Sequence, residues 1–212
     1  MPTDLALLTF VKFPEPGKVK TRLASALGAQ KACDLYRHFV ELTLAKTKLV
    51  PQAARYVTFS PPEREQDFRA LFNDDSHWFP QAEVPNLGER IYCAVQTVLA
   101  RGARGVITIG SDSPSLPVEF LQQAAQALTK FDLVLGPAED GGYYLIGLKS
   151  APRPLFENIS WSTDEVFAQT LAAAGRLGLS VFVLPEWYDV DEVETLEKFY
   201  RDKGAHRLKP LE

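Results

Sequence analysis

Apolar positions along this chain follow two rhythms that alternate from end to end. Leu5–Val11 (LALLTFV) is a short run of large apolar side chains, the pattern of a buried strand. A loop broken by Pro14, Pro16 and Gly17 follows. Residues 20–48 then read as helix, interrupted near Gly28, with Leu35, Phe39 and Leu42 on one face by i, i+4, i+7 spacing. Arg55–Ser60 predicts a second strand, Pro61-Pro62 opens a polar helix to about Phe72, and His77–Pro80 reads as a short strand. A helix over 89–101 carries Ile91, Val95 and Val98 inward, and the β-branched run Gly105–Gly110 predicts another strand. Pro117–Lys130 reads as a helix with proline at its start, where the missing N–H costs nothing. Strands over 133–135 and 143–148, a helix over 163–174, a strand over 180–184 and a helix over 192–201 complete the chain.

Strands alternating with helices predict a mostly parallel sheet covered on both faces, a three-layer α/β fold. No linker, internal repeat or low-complexity stretch divides residues 1–212, so one domain is expected. In such sheets ligands bind beyond the carboxyl ends of the strands. That rule draws attention to the loops at 12–22, 85–90, 111–115 and 136–143, with 186–192 as a fifth.

Composition narrows the class. The 212 residues are 46% hydrophobic and 24% charged, near the globular average. The net charge of −4 argues against a general nucleic-acid binder. Charge is nevertheless uneven: residues 1–60 hold 9 Lys+Arg and 4 acids, whereas residues 61–150 hold 7 and 12. A positive first segment on an acidic chain points to an anionic ligand there. Cys33 and Cys93 lie outside metal or redox spacing and read as two buried reduced thiols. His38, His77 and His206 are scattered and match no metal or triad spacing. The start Met1-Pro2-Thr3-Asp4 lacks the charged lead and cleavage site of a signal peptide, and Leu5–Val11 is too short to span a bilayer; a soluble cytoplasmic protein is expected.

Four short segments carry candidate chemistry. In Lys12-Phe-Pro-Glu-Pro-Gly-Lys-Val-Lys-Thr-Arg22, the cations Lys12, Lys18, Lys20 and Arg22 follow the first strand, and Gly17 lets backbone approach a ligand closely. A helix start near Lys20 would add free N–H groups, so the loop suits a di- or triphosphate. It is not a Walker A loop, which needs glycine at Lys12 and Ser/Thr at Val19. In Gly110-Ser-Asp112-Ser-Pro114, the carboxylate past a hydrophobic strand is placed either to hold Mg²⁺ or Mn²⁺ against ligand phosphates or to cap the turn ahead of Pro114. Asp140-Gly141-Gly142-Tyr143 reads first as a tight hairpin signal. Asp191, in Tyr188-Asp189-Val190-Asp191, is placed to cap the last helix or to serve as a second metal ligand. Asn86-Leu87-Gly88-Glu89-Arg90 brings a backbone turn toward a base, with Arg90 available to an anion. Trp161-Ser162-Thr163 reads as a helix cap beneath a core Trp rather than as a sugar-facing loop.

Taken in order, PEPGKVKTRLASALG, NLGER, GSDSP, GPAEDGGYYLIGL, WST and DVDEVE resemble the radical-SAM/selenodomain-associated transferases. These are often described as glycosyltransferases and belong to the nucleotide-diphospho-sugar transferase (GT-A) superfamily. A more distant similarity links the basic loop and GSDSP to 2-phospholactate and molybdenum-cofactor guanylyltransferases. The resemblance implies a Rossmann-like GT-A fold and metal-dependent transfer from a nucleotide-activated donor to a small-molecule acceptor. Glycosyl transfer from a nucleotide-sugar is the first expectation, nucleotidyl transfer with release of pyrophosphate the alternative, and a non-catalytic nucleotide-binding module the third. By the resemblance, Lys12, Lys18, Lys20 and Arg22 face phosphates, with Gly17 and Thr21 on the same loop and Lys20 in a catalytic role. Leu87, Gly88 and Arg90 approach the base or ribose, and Asp112 stands at the superfamily's metal-binding position. The motif here is Ser-Asp-Ser rather than Asp-x-Asp, so Asp191 is the candidate second ligand. Asp140, Gly141, Gly142 and Tyr143 line the acceptor side, Asp140 as base in a glycosyl transfer.

Overall fold

The computed structural model describes residues 4–202; His206 and the first three residues lie outside them. Strand β1 (Leu5–Lys12) is followed by helices α1 (Thr21–Leu27) and α2 (Ala29–Thr47). Gly28 joins the two helices with φ 86°, a backbone conformation that glycine adopts without cost and that ends one helix before the next begins. Next come β2 (Ala53–Ser60), a 3₁₀ turn (Pro62–Arg64), α3 (Glu65–Leu71), β3 (His77–Pro80), α4 (Leu87–Ala100) and β4 (Gly105–Ile109). The chain continues through α5 (Val118–Lys130), β5 (Leu133–Pro137), β6 (Tyr143–Leu148), α6 (Val166–Arg176), β7 (Val181–Val183) and α7 (Val193–Asp202).

The strands form one seven-stranded sheet in the order β3-β2-β1-β4-β6-β5-β7. β1 pairs in parallel with β2 and β4, β2 with β3, and β5 with β7. β6 runs antiparallel to both of its neighbours, β4 and β5. The expected mostly parallel sheet is therefore present, with β6 reversed. Its reversal follows from the short β5–β6 connection, closed by Ala138 N–H donating to the Gly142 carbonyl at 3.1 Å, because a tight hairpin joins only antiparallel strands.

Successive residues of β1 feed different cores, as the period of two demands. Ala6 and Leu8 pack with Ile91, Val95 and Val98 of α4 and with Ala173 and Ala174 of α6. Leu7 packs with Leu121, Ala124 and Leu128 of α5 on the opposite face. A third cluster joins Tyr36 and Val40 of α2 to Val57, Phe59 and Phe68, and a fourth joins Leu23, Phe39, Tyr188, Val190 and Phe199. That last cluster matters for function, since it seats α1, α2 and α7 together and so fixes the loops at their ends. Helix α6 begins at Val166 rather than Thr163, whose hydroxyl accepts from the Glu165 N–H at 3.3 Å in the turn ahead of the helix. Cys33 is buried as expected, but Cys93 is only half-buried. Among the described residues, no helix is long and apolar enough to cross a membrane.

Candidate functional site

Chain order puts a crevice at the carboxyl ends of β1 and β4. From β1 the chain crosses to β2 on one side, whereas β4 adds to the other, and at such a switch point the connecting loops diverge and leave room for a ligand. The loop after β1, the Ser111–Ser113 turn after β4 and the segment before α7 are laced together there. The Lys12 N–H donates to the Tyr36 hydroxyl at 2.8 Å, and that hydroxyl shares a hydrogen bond of 3.0 Å with Ser111 Oγ. The Val190 N–H donates to the Asp112 carbonyl at 2.8 Å, and Ser113 Oγ donates to the Asp189 carboxylate. Lys46 Nζ, on α2, donates to the Pro114 carbonyl.

At the centre lies Lys20. Its backbone is left-handed (φ 46°, ψ 47°), which for a residue with a Cβ costs on the order of 1 kcal/mol. The side chain is 2% exposed, with Nζ paired to Asp112 Oδ1 and, at 2.7 Å, to Asp191 Oδ1. The Phe39 ring centroid lies 5.7 Å from the same nitrogen. Burial disfavours the charged amine, but the two carboxylates outweigh it and hold its pKa above the ordinary lysine value, so the ammonium stays charged. Burial and the neighbouring Asp112 charge push the Asp189 carboxyl up to about 7, against the opposing Ser113 hydrogen bond and the Lys20 charge. Burial, then Asp112, pushes the Tyr36 phenol up to about 12, so it remains a neutral hydrogen-bonding bridge.

The donor chemistry of this cluster can be matched to a divalent cation. Asp112 and Asp191 are hard oxygen ligands, each about half exposed (47% and 46%), and both already converge on one positive charge. Mg²⁺ and Mn²⁺ take one or two protein carboxylates and complete their shells with phosphate and water. The pair fits that pattern as a partial ligand set. It is not a closed cage, for no group of three His, Cys, Asp or Glu among the described residues is arranged to hold a metal alone.

The other expected phosphate ligands lie around this centre rather than in it. Arg22 is exposed and pairs with Glu192 at 3.1 Å, next to Asp191. Lys18 is 72% exposed and, among the described residues, pairs only with Glu15, at 3.8 Å. Lys12 ends β1 with its side chain exposed, Gly17 turns the loop at φ 79°, and Thr21 is the exposed first residue of α1. Helix α1 has only seven residues, so side-chain charge rather than a helix dipole dominates here.

A second group of expected residues gathers about Trp161. Asn86 Oδ1 caps α4 by accepting from the Glu89 N–H at 2.7 Å, which places Leu87, Gly88 and Arg90 in the first turn. A Cβ on Gly88 would stand 2.2 Å from the Trp161 ring, so the ring lies flush on α4. Tyr143 meets the same indole edge-on at 6.3 Å, its hydroxyl buried without a hydrogen-bond partner among the described residues. Gly141 has φ 85°, and a Cβ there would lie 2.1 Å from the Asp164 carbonyl oxygen. Asp140 is exposed and turned back on its own hairpin, accepting from the Gly142 N–H at 2.9 Å. It makes no ion pair with Lys20, whose carboxylate partners are Asp112 and Asp191. A cavity of about 310 Å³ opens beside Trp161, lined in part by Asn86, Glu89, Phe156 and Asn158.

The structure thus brings together Lys20, Asp112 and Asp191, and separately Gly88, Gly141 and Tyr143 around Trp161. Sequence reasoning missed Tyr36, Ser113 and Asp189 as parts of the first cluster. Asp189 carried one signal, its position two residues before Asp191 in a DVD triplet. Tyr36 carried none, since it also satisfies the apolar face of α2.

Comparison with known proteins agrees with this architecture. A crystal structure of a provisionally assigned nucleotide-diphospho-sugar transferase from Desulfovibrio desulfuricans G20 is 38% identical, with a TM-score of 0.90 over 97% of this chain and 90% of that one. CMP:2-keto-3-deoxy-manno-octonic acid synthetase, solved with CTP, superposes with a TM-score of 0.58 at 12% identity, covering 96% and 99% of the two chains. Rv0371c from Mycobacterium tuberculosis H37Rv, solved with manganese, gives 0.55 at 13% identity over 93% and 98%. The last two likenesses show a shared fold, the Rossmann-like nucleotidyltransferase and GT-A architecture. No curated protein matches the chain in sequence. Residues 43–163 match the family described as "Uncharacterized protein conserved in bacteria (DUF2064)", and with the 38% identical relative this establishes that the chain belongs to that bacterial family.

Proposed function

We propose that the protein is a transferase acting on a nucleotide-activated donor, whose polyphosphate lies over the Lys20–Asp112–Asp191 cluster. The observation that carries this reading is the buried ammonium clasped by two half-exposed carboxylates at the β1–β4 switch point. The 38% identical relative, described as a nucleotide-diphospho-sugar transferase, supports it. So does the CTP bound to a synthetase of the same fold.

Nucleotidyl transfer is the chemistry this geometry favours. An acceptor phosphate oxygen attacks the α-phosphorus of a nucleoside triphosphate, and the α–β bridging bond breaks to release pyrophosphate. Such a step is accelerated by positioning and by charge placed where charge develops, and it needs no general base. Lys20 supplies a fixed positive charge. Arg22, Lys18 and Lys12 supply exposed cations for the outer phosphates. Asp112 and Asp191 would hold Mg²⁺ or Mn²⁺, which when bound neutralises phosphate charge; manganese in Rv0371c is consistent with that role. Tyr36 and Ser111 hold the basic loop against the Asp112 turn so that these charges keep their spacing. The cavity beside Trp161 is the place for the acceptor.

Glycosyl transfer is the second reading, favoured by the description of the 38% identical relative. It requires a base toward the acceptor hydroxyl, and Asp140, the candidate, is instead engaged in its own hairpin turn.

Thermal unfolding with nucleoside triphosphates, nucleoside diphosphates and nucleotide-sugars, each with and without Mn²⁺, separates the two. Ligand at a hundredfold excess over Kd stabilises by about 2.7 kcal/mol, roughly 5–10 °C in midpoint at this size. A metal-dependent shift largest for one triphosphate is the expected result. A shift largest for a nucleotide-sugar transfers the assignment to glycosyl transfer, and no shift with any nucleotide overturns both.

A further inference from the structure

Lys20 sits where its charge competes with the cation that Asp112 and Asp191 are suited to hold. Its Nζ contacts one oxygen of each carboxylate, and the side chain is 2% exposed while both carboxylates are about half exposed. The left-handed backbone at Lys20 and the packing of Leu23 and Phe39 around the start of α1 fix the chain from which this ammonium projects. It is therefore a built part of the site rather than a wandering surface lysine. The other charges near the pair, among the described residues, are the half-buried Asp189, bonded to Ser113 beside Asp112, and the exposed Arg22–Glu192 pair.

We propose that Lys20 is a resident counter-ion that keeps the Asp112–Asp191 pair from taking a free divalent cation, so that the metal enters together with a polyphosphate. This rests on the reading above that these two carboxylates hold the metal. A pair of carboxylates facing one ammonium presents about half its charge to a second cation, and like charges at a few ångströms repel even in a solvated cleft. A polyphosphate reverses the balance. It adds several negative charges, offers Lys20 Nζ new acceptor oxygens, and supplies the ligands that the carboxylate pair lacks. Because binding couplings are reciprocal, metal must then raise polyphosphate affinity by the same factor as polyphosphate raises metal affinity. Lysine suits this role better than arginine, since a compact point charge on a flexible stem can shift from carboxylate to phosphate within one site.

The test measures Mn²⁺ binding to the nucleotide-free protein, by the loss of the free-ion paramagnetic resonance signal, for wild type, Lys20→Met and Lys20→Gln. Both neutral variants are expected to bind Mn²⁺ at least tenfold more tightly than wild type. In wild type, inorganic tripolyphosphate is expected to tighten Mn²⁺ by at least tenfold beyond what the solution complex accounts for, and that gain shrinks in both variants. Either variant, shown folded by its unfolding midpoint, suffices for the comparison. Should neither fold, micromolar Mn²⁺ binding by wild type without tripolyphosphate overturns the proposal, and synergy with tripolyphosphate upholds it. Variants that bind Mn²⁺ no more tightly than wild type also overturn it. Mn²⁺ binding that Asp112→Asn leaves unchanged in the Lys20→Met background puts the ion elsewhere and overturns the metal reading beneath it. The nucleotide panel is read separately: a protein that binds no nucleotide yet gains Mn²⁺ affinity on losing Lys20 keeps this inference and loses the transferase assignment.

Discussion

The two clusters of candidate residues are held by opposite physics. At the β1–β4 switch point the parts are charged and differ in burial: Lys20 is buried, Asp112 and Asp191 are half exposed, and Arg22 with Glu192 is exposed at the rim. Around Trp161 the parts are apolar or backbone, pressed so close that Gly88 and Gly141 have no room for a Cβ. A site held by charge loses more chemistry than stability on substitution, because its carboxylates are half in solvent while fixed charge contributes much to transfer. A site held by close packing behaves in the reverse way, since overlap with backbone must be relieved by moving it. Under the proposed function the reaction belongs to the charged cluster, and the packed cluster frames the acceptor side.

Breaking the charged cluster should give the largest change of all. Asp112→Asn is expected to lower metal-dependent turnover by about a hundredfold or more, while the unfolding free energy falls by only about 1–2 kcal/mol because the buried Lys20 ammonium keeps Asp191 as a partner. Steady-state rates and a denaturant titration on the same sample check both parts. A loss of stability as large as the loss of rate would erase the contrast. Breaking the packed cluster should act through stability. Gly141→Ala places a methyl against the Asp164 backbone at φ 85° and is expected to cost about 3 kcal/mol, read as a drop of roughly 6–12 °C in midpoint.

A smaller effect belongs to a charge cluster toward the amino ends of β2 and β3. Asp74 is 5% exposed and bonds Arg55, Lys48 and Ser76, at 3.0 Å, 3.2 Å and, from the Ser76 N–H, 2.9 Å. Burial alone would raise its pKa, but the hydrogen bonds from Ser76 and the two cations together hold it below the ordinary carboxyl value. A depressed pKa stabilises above the unfolded value, near about 3.9, and that contribution disappears as pH falls through the folded one. Asp74→Asn is therefore expected to cost about 1–2 kcal/mol at neutral pH, and the gap to wild type should close as pH falls below the ordinary carboxyl range. Denaturant midpoints across pH 2–7 decide it, and a gap that widens on acidification has the wrong sign.

The smallest structural effect is expected at Lys18. Its only ion-pair contact among the described residues is a 3.8 Å approach to Glu15 at 72% exposure, so Lys18→Ala should leave stability within about 0.5 kcal/mol. Its nucleotide affinity should nonetheless fall, most at low salt. Unchanged affinity returns this lysine to the solvated surface.

What the sequence discloses follows from how local each signal is. The strand at Leu5–Val11, the break at Gly28 and the proline-led α5 rest on neighbouring residues, and all three stand in the structure. The reversal of β6 was present in Gly141-Gly142 as a hairpin signal, although the expectation of a mostly parallel sheet did not draw on it. Asp112 was legible because a carboxylate just past a buried strand has a fixed address. Asp191 and Asp189 were less so: their positions depend on the Val190 N–H reaching the Asp112 carbonyl, across 78 positions of chain. That contact in turn depends on Tyr188 and Val190 being buried beneath α1 and α2. Tyr36 was invisible because its ring serves the core while its hydroxyl serves the loop, and a hydrophobic pattern records only the ring.

The most direct measurement is a crystal structure grown with Mn²⁺ and a nucleoside triphosphate, with anomalous scattering recorded to locate the metal. The account predicts a manganese peak bonded to Asp112 and Asp191 with the polyphosphate within hydrogen-bond distance of Lys20 and Arg22. A nucleotide bound away from the β1–β4 crevice, or a metal that touches neither carboxylate, contradicts it.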